Sequence, residues 1–318
     1  MFGGNREKEP IVEAYRIGCG KYGEEAMRRR MEQSATRILT LMFRLGLFEN
    51  PYLNPSSSSE IVGCEEYVKA GLDAQRRSVI LLKNQEGLLP LKKGTKIYVP
   101  DRHYEQHMAF FRVPILASDF PGVRPGDVDG FFELVKTPEE AEAAVVFMES
   151  PLCDCYDPED VKQGGNGYRP ITLQYKSYRA DAARAHSLAQ GDFRESFGDR
   201  SYFGKENTAY NASDLDAFLE TREKMGDKPV FVVLQIHNPC VVAEFEDKAQ
   251  GILAHFGVES KVLMEILSGQ AAPGGRLPLD LPANMETVEK HCEDVFGDYD
   301  VHEDSAGNRY GYGFGLRY

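Results

Sequence analysis

The sequence predicts an α/β protein with a mostly parallel sheet and helices on both faces. Continuous apolar runs typical of buried strands occur at residues 144–148, 230–236 and 251–256. Helical patterns alternate with these runs, as at 213–224 and 259–267. Because parallel strands are buried on both sides, they read as unbroken apolar runs, and their alternation with helices indicates a sheet covered on both faces.

The chain before this alternation reads as helical and then as a short polar linker. Over residues 10–45, apolar side chains recur at three- and four-residue spacing, and Gly46 follows as a helix stop. The recurring side chains are Met27, Met31, Ala35, Ile38, Met42 and Leu45. Asn-Pro pairs and a run of serines over 50–59 are typical of a linker. The predicted bounds are 1–50 for the helical segment, 51–64 for the linker and 65–318 for the α/β domain.

Two further features are predicted inside the α/β domain. A short strand is expected at 95–99, and Thr137 is expected to cap a short helix before the strand at 144–148. The segment 164–211 is long, aromatic and rich in arginine, with weak periodicity. Since loops of that length are usually functional, we expect it to cover a site.

Composition excludes several classes of function. The net charge of −13 argues against a nucleic-acid partner, which would need clustered lysine and arginine. No apolar run approaches the length that crosses a bilayer, so no membrane partner is expected. The 6 cysteines show no CxxC pair, which favours free thiols in a reducing compartment. Residues 1–9 lack the apolar core of a signal peptide, which makes a cytoplasmic location the default expectation, although sequence upstream would change it.

Several motifs together resemble one family. Residues 77–84 read Arg-Ser-Val-Ile-Leu-Leu-Lys-Asn and run into Leu-Pro-Leu at 89–91. Residues 273–279 read Pro-Gly-Gly-Arg-Leu-Pro-Leu, and 310–316 read Tyr-Gly-Tyr-Gly-Phe-Gly-Leu. In this order and separation they resemble the second domain of family 3 glycoside hydrolases, the β-glucosidase and β-xylosidase family. Residues 37–51 are similar to the helix that ends the first domain of that family and enters its linker.

The resemblance implies a fold and an incomplete enzyme. In the family, the second domain is an (α/β)6 sandwich that leans over the mouth of a (β/α)8 barrel, and the barrel carries the nucleophilic aspartate. Residues 1–50 would then be a helical remnant of that barrel, and the expected partners are a glycoside or oligosaccharide and the missing barrel, as upstream sequence or a separate chain. Without the barrel, residues 9–45 should expose an apolar stripe that could self-associate. No cofactor is implied.

The resemblance also indicates where a catalytic carboxyl group would lie. Retaining glycosidases use two carboxyl groups about 5–5.5 Å apart, one as nucleophile and one as general acid/base. In many family members the acid/base is a glutamate on a loop after a central strand. Here Tyr156-Asp157 falls in the expected register, which puts Asp154 at that position; Glu149 and Asp157 are the next candidates. An aspartate reaches one methylene less far, and a solvated acidic loop without a catalytic role is the alternative.

Substrate-binding residues follow from position in the chain. Tyr156 and Asn166 belong to the same predicted site loop, and His237 ends a predicted buried strand, where ligands of α/β proteins bind. A satisfied histidine at the edge of the core is the alternative for His237. Since the chain has no tryptophan, stacking on a sugar would use tyrosine or phenylalanine. Cys153 and Cys155 have no second ligand pair at metal-binding spacing, so no metal site is predicted.

Two functions therefore stay open. The first is the acid/base-bearing second domain of a β-glycosidase, inactive without a barrel. The second is a domain without catalysis that binds a sugar or a protein partner, or a truncated product. The sugar itself is not predicted, because the family's specificity residues lie mostly on the barrel.

Overall fold

The computed structural model of the chain describes residues 7–108, 113–188, 198–292, 295, 297–298 and 300–318. It forms two compact units, Met1–Val68 and Lys69–Tyr318. The start of the chain, residues 1–6, lies outside the described residues. Among the described residues, no helix combines the length and the apolar character needed to cross a membrane.

The first unit is helical. Helix α1 spans Glu9–Tyr22 and helix α2 spans Glu24–Arg44. Gly23 separates them at φ 87°, and Gly46 follows α2 at φ 66°, both in the left-handed region that glycine adopts without strain. The helical pattern predicted over 10–45 is thus two helices, and its predicted stop at Gly46 is confirmed.

The serine run within the predicted linker is helical. Residues Pro55–Ile61 form helix α3. The Asn54 side chain accepts a hydrogen bond from the Ser56 backbone N–H (3.0 Å), and Pro55 stands at the first helical position. Asn-Pro at this point starts a helix instead of a turn, because an asparagine cap and a proline at the first position both favour helix initiation.

Helix α2 is exposed along its apolar side. None of its residues is buried, and Ile38, Leu41, Phe43 and Leu45 are 51%, 59%, 59% and 62% exposed. Contact with α1 is made through Gly18, where an added Cβ would lie 2.6 Å from the Met27 side chain. The expected apolar stripe is therefore present on the described helices of this unit.

The second unit is an α/β domain whose regular elements are short. Its helices are α4 Glu65–Ser78 (which starts before the division at Val68), α5 Pro125–Val128, α6 Pro158–Lys162, α7 Ser213–Met225, α8 Ser260–Leu267 and α9 Met285–Lys290. Its strands are β1 Ile80–Asn84, β2 Lys96–Tyr98, β3 Arg102–Tyr104, β4 His107–Met108, β5 Pro114–Ile115, β6 Ser118–Phe120, β7 Glu133–Val135, β8 Ala143–Glu149, β9 Tyr178–Arg179, β10 Glu206–Asn207, β11 Val230–Gln235 and β12 Gly251–His255.

The main sheet confirms the predicted fold. Its six strands follow the order β1-β12-β11-β8-β2-β7, all parallel to their neighbours except β1, which is antiparallel to β12. Alternate residues of the central strands enter two separate cores. Helix α7 covers one face, where Phe218 packs with Val232, and α8 covers the other, where Met264 packs with Val233. Each fully buried side chain of this size contributes about 1.5–3 kcal/mol.

One predicted helix is wrong. Residues 137–140 form a turn, in which the Ala141 N–H donates to the Pro138 carbonyl (3.2 Å). Lys228 Nζ donates to the Pro138 and Glu139 carbonyls at 3.2 and 2.8 Å. Because so little chain connects β7 and β8, a lysine from outside satisfies these carbonyls instead of a helical turn.

The strand order creates a crevice at the carboxyl edge of the sheet. Strands β2 and β8 are neighbours, but the chain leaves β2 toward β7 on one side and leaves β8 toward β11 on the other. Open α/β sheets bind ligands outside the carboxyl ends of their strands at such a switch point. The segment 164–211, expected to cover a site, contains β9 and β10, and its residues 189–197 lie outside the described part.

Candidate functional site

Three polar side chains form a row at the carboxyl ends of adjacent strands. Glu149 ends β8, Gln235 ends β11 and His255 ends β12. The strands pair in register, with Gln235 opposite both Glu149 and His255. Neighbouring strands lie about 4.7–4.9 Å apart, so the three side chains emerge side by side on the α8 face of the sheet.

Arg102 joins this row across the switch point. Its Nε and Nη2 donate to the two Asp214 carboxylate oxygens at 2.8 and 2.7 Å, and its Nη1 donates to Glu149 Oε1 at 3.0 Å. Burial by itself lowers the pKa of Arg102, but the hydrogen bonds and charge of Asp214 outweigh burial and hold that pKa above its ordinary value. The arginine therefore stays charged and fixes the carboxylates that flank it.

Glu149 is held from three directions. The Nε2 of His237 lies 2.7 Å from Glu149 Oε2, opposite the oxygen that Arg102 contacts. Tyr175 Oη donates to the Glu149 carbonyl at 2.7 Å, and the Glu149 N–H donates to Asp214 Oδ2 at 3.0 Å. Burial alone would raise the pKa of Glu149, but the Arg102 charge and the hydrogen bonds lower it below its ordinary value. Glu149 is consequently an ionised, paired carboxylate at neutral pH.

The predicted site loop closes on itself. Tyr156 and Tyr168 form an antiparallel bridge with their rings 5.9 Å apart, edge to face. The Asp157 side chain caps α6 by accepting from the Glu159 N–H (2.9 Å) and also pairs with Arg169. Tyr156 and Asp157 therefore belong to one closed segment, residues 156–169, which we call the clamp.

Asn166 ties this clamp to the following segment. Its amide nitrogen donates to the Asp199 and Ser201 carbonyls at 3.0 and 2.7 Å. Its amide oxygen accepts from Lys205 Nζ at 2.6 Å and from the Tyr168 N–H at 3.1 Å. Both ends of the amide are thus used inside the protein, and substrate binding by Asn166 stays a prediction.

Asp154 lies apart from the clamp and beside an aromatic cluster. Its carboxylate accepts from the Met108 backbone N–H at 3.0 Å. The Tyr210 backbone N–H donates to the Leu152 carbonyl at 2.8 Å. Burial raises the pKa of Tyr210, and the charges of Asp154 and Glu149 raise it further. The Tyr210 ring stacks on His107 with centroids 3.9 Å apart, and Tyr104 meets Tyr210 edge-on at 5.6 Å.

The structure thus brings together two of the predicted residues, Glu149 and His237, and adds partners that sequence reasoning missed. His255 could have been found by the rule that singled out His237, because each histidine stands at the end of a predicted buried strand. Arg102 and Asp214 are 112 positions apart, and no local pattern connects them.

A metal site has no support among the described residues. No group of three or more histidine, cysteine, aspartate or glutamate side chains there could hold an ion. Cys153 and Cys155 are half-buried free thiols, and a hydrogen bond from Cys153 lowers the pKa of Cys155 to about 7.

Comparison with known proteins agrees with the fold and with the resemblance in the sequence. β-Glucosidase C of Emericella nidulans is 29% identical over 321 residues, covering 100% of this chain and 40% of the relative. The periplasmic β-glucosidase/β-xylosidase of Dickeya chrysanthemi is 26% identical over 316 residues, covering 99% of this chain and 37% of the relative. The chain therefore spans about two-fifths of the length of these relatives.

Solved structures show the same architecture. A β-glucosidase from Listeria innocua in complex with isofagomine matches with a TM-score of 0.53 at 20% identity, covering 98% of this chain and 41% of that one. The model of the family described as "Glycosyl hydrolase family 3 C-terminal domain" matches residues 79–318. With most of its length matched in this way, the chain belongs to the glycosyl hydrolase family 3 C-terminal domain family.

Proposed function

We propose that this chain is the acid/base-bearing second domain of a retaining β-glycosidase and that Asp154 is its general acid/base. The family membership supports the reaction class. The observation that carries the assignment concerns the described residues. None of their cations pairs with the Asp154 carboxylate, which accepts from the Met108 backbone N–H.

The other two candidate carboxylates, Glu149 and Asp157, have structural partners. A general acid must carry a proton in the resting enzyme, and Glu149 is ionised between Arg102 and His237. Asp157 caps α6 and pairs with Arg169, so its removal would disturb the loop before it affected proton transfer. Asp154 differs from both, because among the described residues its carboxylate accepts from a backbone N–H and keeps lone pairs for a substrate.

The mechanism assigns one proton to Asp154. As a nucleophile on the barrel attacks the sugar, the Asp154 carboxyl group gives its proton to the leaving oxygen. In the second step the carboxylate accepts a proton from the water that cleaves the glycosyl-enzyme. The aromatic cluster of Tyr104, His107 and Tyr210 beside Asp154 would supply the stacking surface for a sugar in a chain without tryptophan.

The proposal is tested in a chimaera in which this chain replaces the matching part of a family 3 β-glucosidase. Asp154→Asn should slow alkyl glycosides about 10²–10⁴-fold and nitrophenyl glycosides far less, because protonation helps most when the leaving oxygen is basic. Azide should partly restore turnover, since it attacks the glycosyl-enzyme without a base.

The matched control is Glu159→Gln. Glu159 lies in helix α6, which follows the Asp154 loop, and its side chain is 64% exposed and pairs with Lys162 on the surface. This variant should keep full activity on both substrate classes. An equal loss on all substrates with Asp154→Asn, or no loss, removes Asp154 from the role. A chimaera inactive with the native chain favours the alternative of a domain without catalysis.

A further inference from the structure

Two free thiols lie side by side on the loop after β8. Cys153 and Cys155 flank Asp154, and both are half-buried. The Cys155 Sγ lies 3.6 Å from the Cys153 carbonyl oxygen, so its side chain is folded back toward Cys153. The Cys153 thiol donates a hydrogen bond to the Cys155 sulfur, which places the two sulfur atoms in contact. A disulfide between them therefore needs only a short approach of two groups that already touch.

The two thiols differ in acidity. The hydrogen bond from Cys153 lowers the pKa of Cys155 to about 7, although burial opposes the change. The same hydrogen bond, together with burial, raises the pKa of Cys153. At pH 7 about half of the Cys155 side chains are thiolates, against about 3% for an ordinary cysteine with a pKa of about 8.5. Because the thiolate is the nucleophile, Cys155 reacts first with an oxidant and Cys153 is placed to close the bridge.

The backbone on either side of the thiol pair is held by other parts of the domain. The Leu152 N–H donates to Asn211 Oδ1 at 2.8 Å. The Cys155 carbonyl accepts from the Arg169 N–H at 3.0 Å. A disulfide holds its sulfur atoms about 2.0 Å apart, closer than two thiols in a hydrogen bond, so the chain between these anchors must adjust when the bridge closes. The adjustment falls on Asp154, which is the residue between the two cysteines.

Asp154 makes two hydrogen bonds that this adjustment would disturb. Its carbonyl accepts from Asn207 Nδ2 at 2.9 Å, and its carboxylate accepts from the Met108 N–H at 3.0 Å. Both donors belong to other segments of the chain, so neither follows a movement of the loop. Rotation of the peptide units beside Asp154 would therefore draw its carboxylate away from the Met108 N–H.

We propose that Cys153 and Cys155 form a reversible disulfide with hydrogen peroxide as the oxidant, and that this bridge moves the Asp154 carboxylate away from Met108. The Cys155 thiolate attacks one peroxide oxygen, so the S–O bond of a sulfenic acid forms, the O–O bond breaks and hydroxide leaves. The Cys153 sulfur then attacks the Cys155 sulfur, the S–S bond forms, and the oxygen leaves as water with the Cys153 proton. Peroxide has then accepted two electrons, which a dithiol such as dithiothreitol returns. The bridge is independent of catalysis, and its effect on turnover rests on the proposed function of Asp154.

The first experiment treats the purified chain 1–318 with hydrogen peroxide, alkylates the remaining thiols and maps the tryptic peptides by mass spectrometry. Trypsin releases residues 137–162, which contain Cys153 and Cys155 and no other cysteine. This peptide should lose two hydrogen atoms and resist alkylation, and dithiothreitol should restore both thiols. The exposed Cys292 reports whether the dose of peroxide is sufficient. When Cys292 is oxidised, a peptide 137–162 that keeps both thiols, or that carries sulfinic acid instead of the bridge, would overturn the proposal.

Serine variants separate the roles of the two thiols. Cys153→Ser should stop at a sulfenic acid on Cys155, which dimedone traps. Cys155→Ser should react about threefold more slowly at pH 7, because the smaller thiolate fraction of the remaining thiol outweighs its greater nucleophilicity. The matched control Cys292→Ser should form the bridge as the native chain does. Equal rates in the two loop variants contradict the assigned roles, and if either variant fails to fold, the peptide map of the native chain decides.

Amide NMR of the native chain tests the movement of Asp154. Oxidation should shift the Met108 N–H signal, and dithiothreitol should return it to its first position. An unchanged signal in the fully bridged protein overturns the movement. In the chimaera described above, peroxide should slow alkyl glycosides reversibly, and Cys155→Ser should remove this sensitivity. A bridge that shifts the Met108 signal without slowing turnover would contradict the proposed role of Asp154 and not the bridge.

Discussion

Acidification should destabilise the α/β domain through His255. Burial lowers the pKa of this ring from 6.5 to about 4, with nearby His237 lowering it and Glu149 opposing the change. In the unfolded chain the ring takes up a proton near pH 6.5. The unfolded state therefore binds more protons between pH 6.5 and 4, and stability is lost as the pH falls through this window.

The magnitude follows from the two pKa values. Each pH unit within the window costs about 1.4 kcal/mol, so the loss attributable to His255 is about 2.5 kcal/mol between pH 7.5 and 4.5. This is a large share of the 5–15 kcal/mol typical of a folded domain. Carboxylates with lowered pKa values, such as Glu149, also lose stabilisation in acid, and a matched variant is needed to separate them.

The assay is urea unfolding of the native chain and of His255→Asn, followed by circular dichroism at pH 7.5, 6.5, 5.5 and 4.5. The asparagine keeps the acceptor for the Gly257 and Val258 N–H groups but cannot be protonated. The difference in unfolding free energy between the two proteins should therefore shift by about 2.5 kcal/mol in favour of the variant. The same slope in both proteins, or an NMR titration of His255 near pH 6.5 in the folded chain, would refute the reasoning.

Three further predictions concern other parts of the chain. The purified chain 1–318 should not hydrolyse nitrophenyl glucoside or xyloside, because a retaining mechanism needs a nucleophile opposite the acid; turnover that a point change in the chain abolishes would contradict this. The exposed stripe of α2 should drive self-association, so light scattering should give a mass above that of the monomer. This mass should fall in the double variant Ile38→Glu/Leu45→Glu. A strict monomer with residues 9–45 protected from hydrogen exchange would instead show that the stripe packs internally. Asp157→Ala should lower the unfolding free energy by about 1 kcal/mol, because the α6 cap is lost, whereas Glu159→Gln should cause no measurable change. Equal stability of Asp157→Ala and the native chain would remove the capping role.

Local patterns were sufficient for the central strands of the sheet. The apolar runs at 144–148, 230–236 and 251–256 became β8, β11 and β12, because a parallel strand buried on both faces needs an unbroken apolar sequence. The patterns failed where a few polar residues decide between turn and helix. Asn54 and Pro55 started a helix in the expected linker, and Thr137 lies in a turn whose carbonyls Lys228 satisfies.

The candidate site was also predictable from the sequence only in part. From the sequence alone, Glu149 and His237 could each be placed at the end of a predicted buried strand, and the strand order of the structure brings them together. The tertiary structure alone brought Arg102 to Asp214 and buried the His255 ring, which lowers its pKa and keeps it neutral. Strand identity depends on residues close together in the chain, which a sequence displays directly. The charge and proton state of a buried side chain depend on what the fold places around it, and those neighbours come from distant parts of the chain.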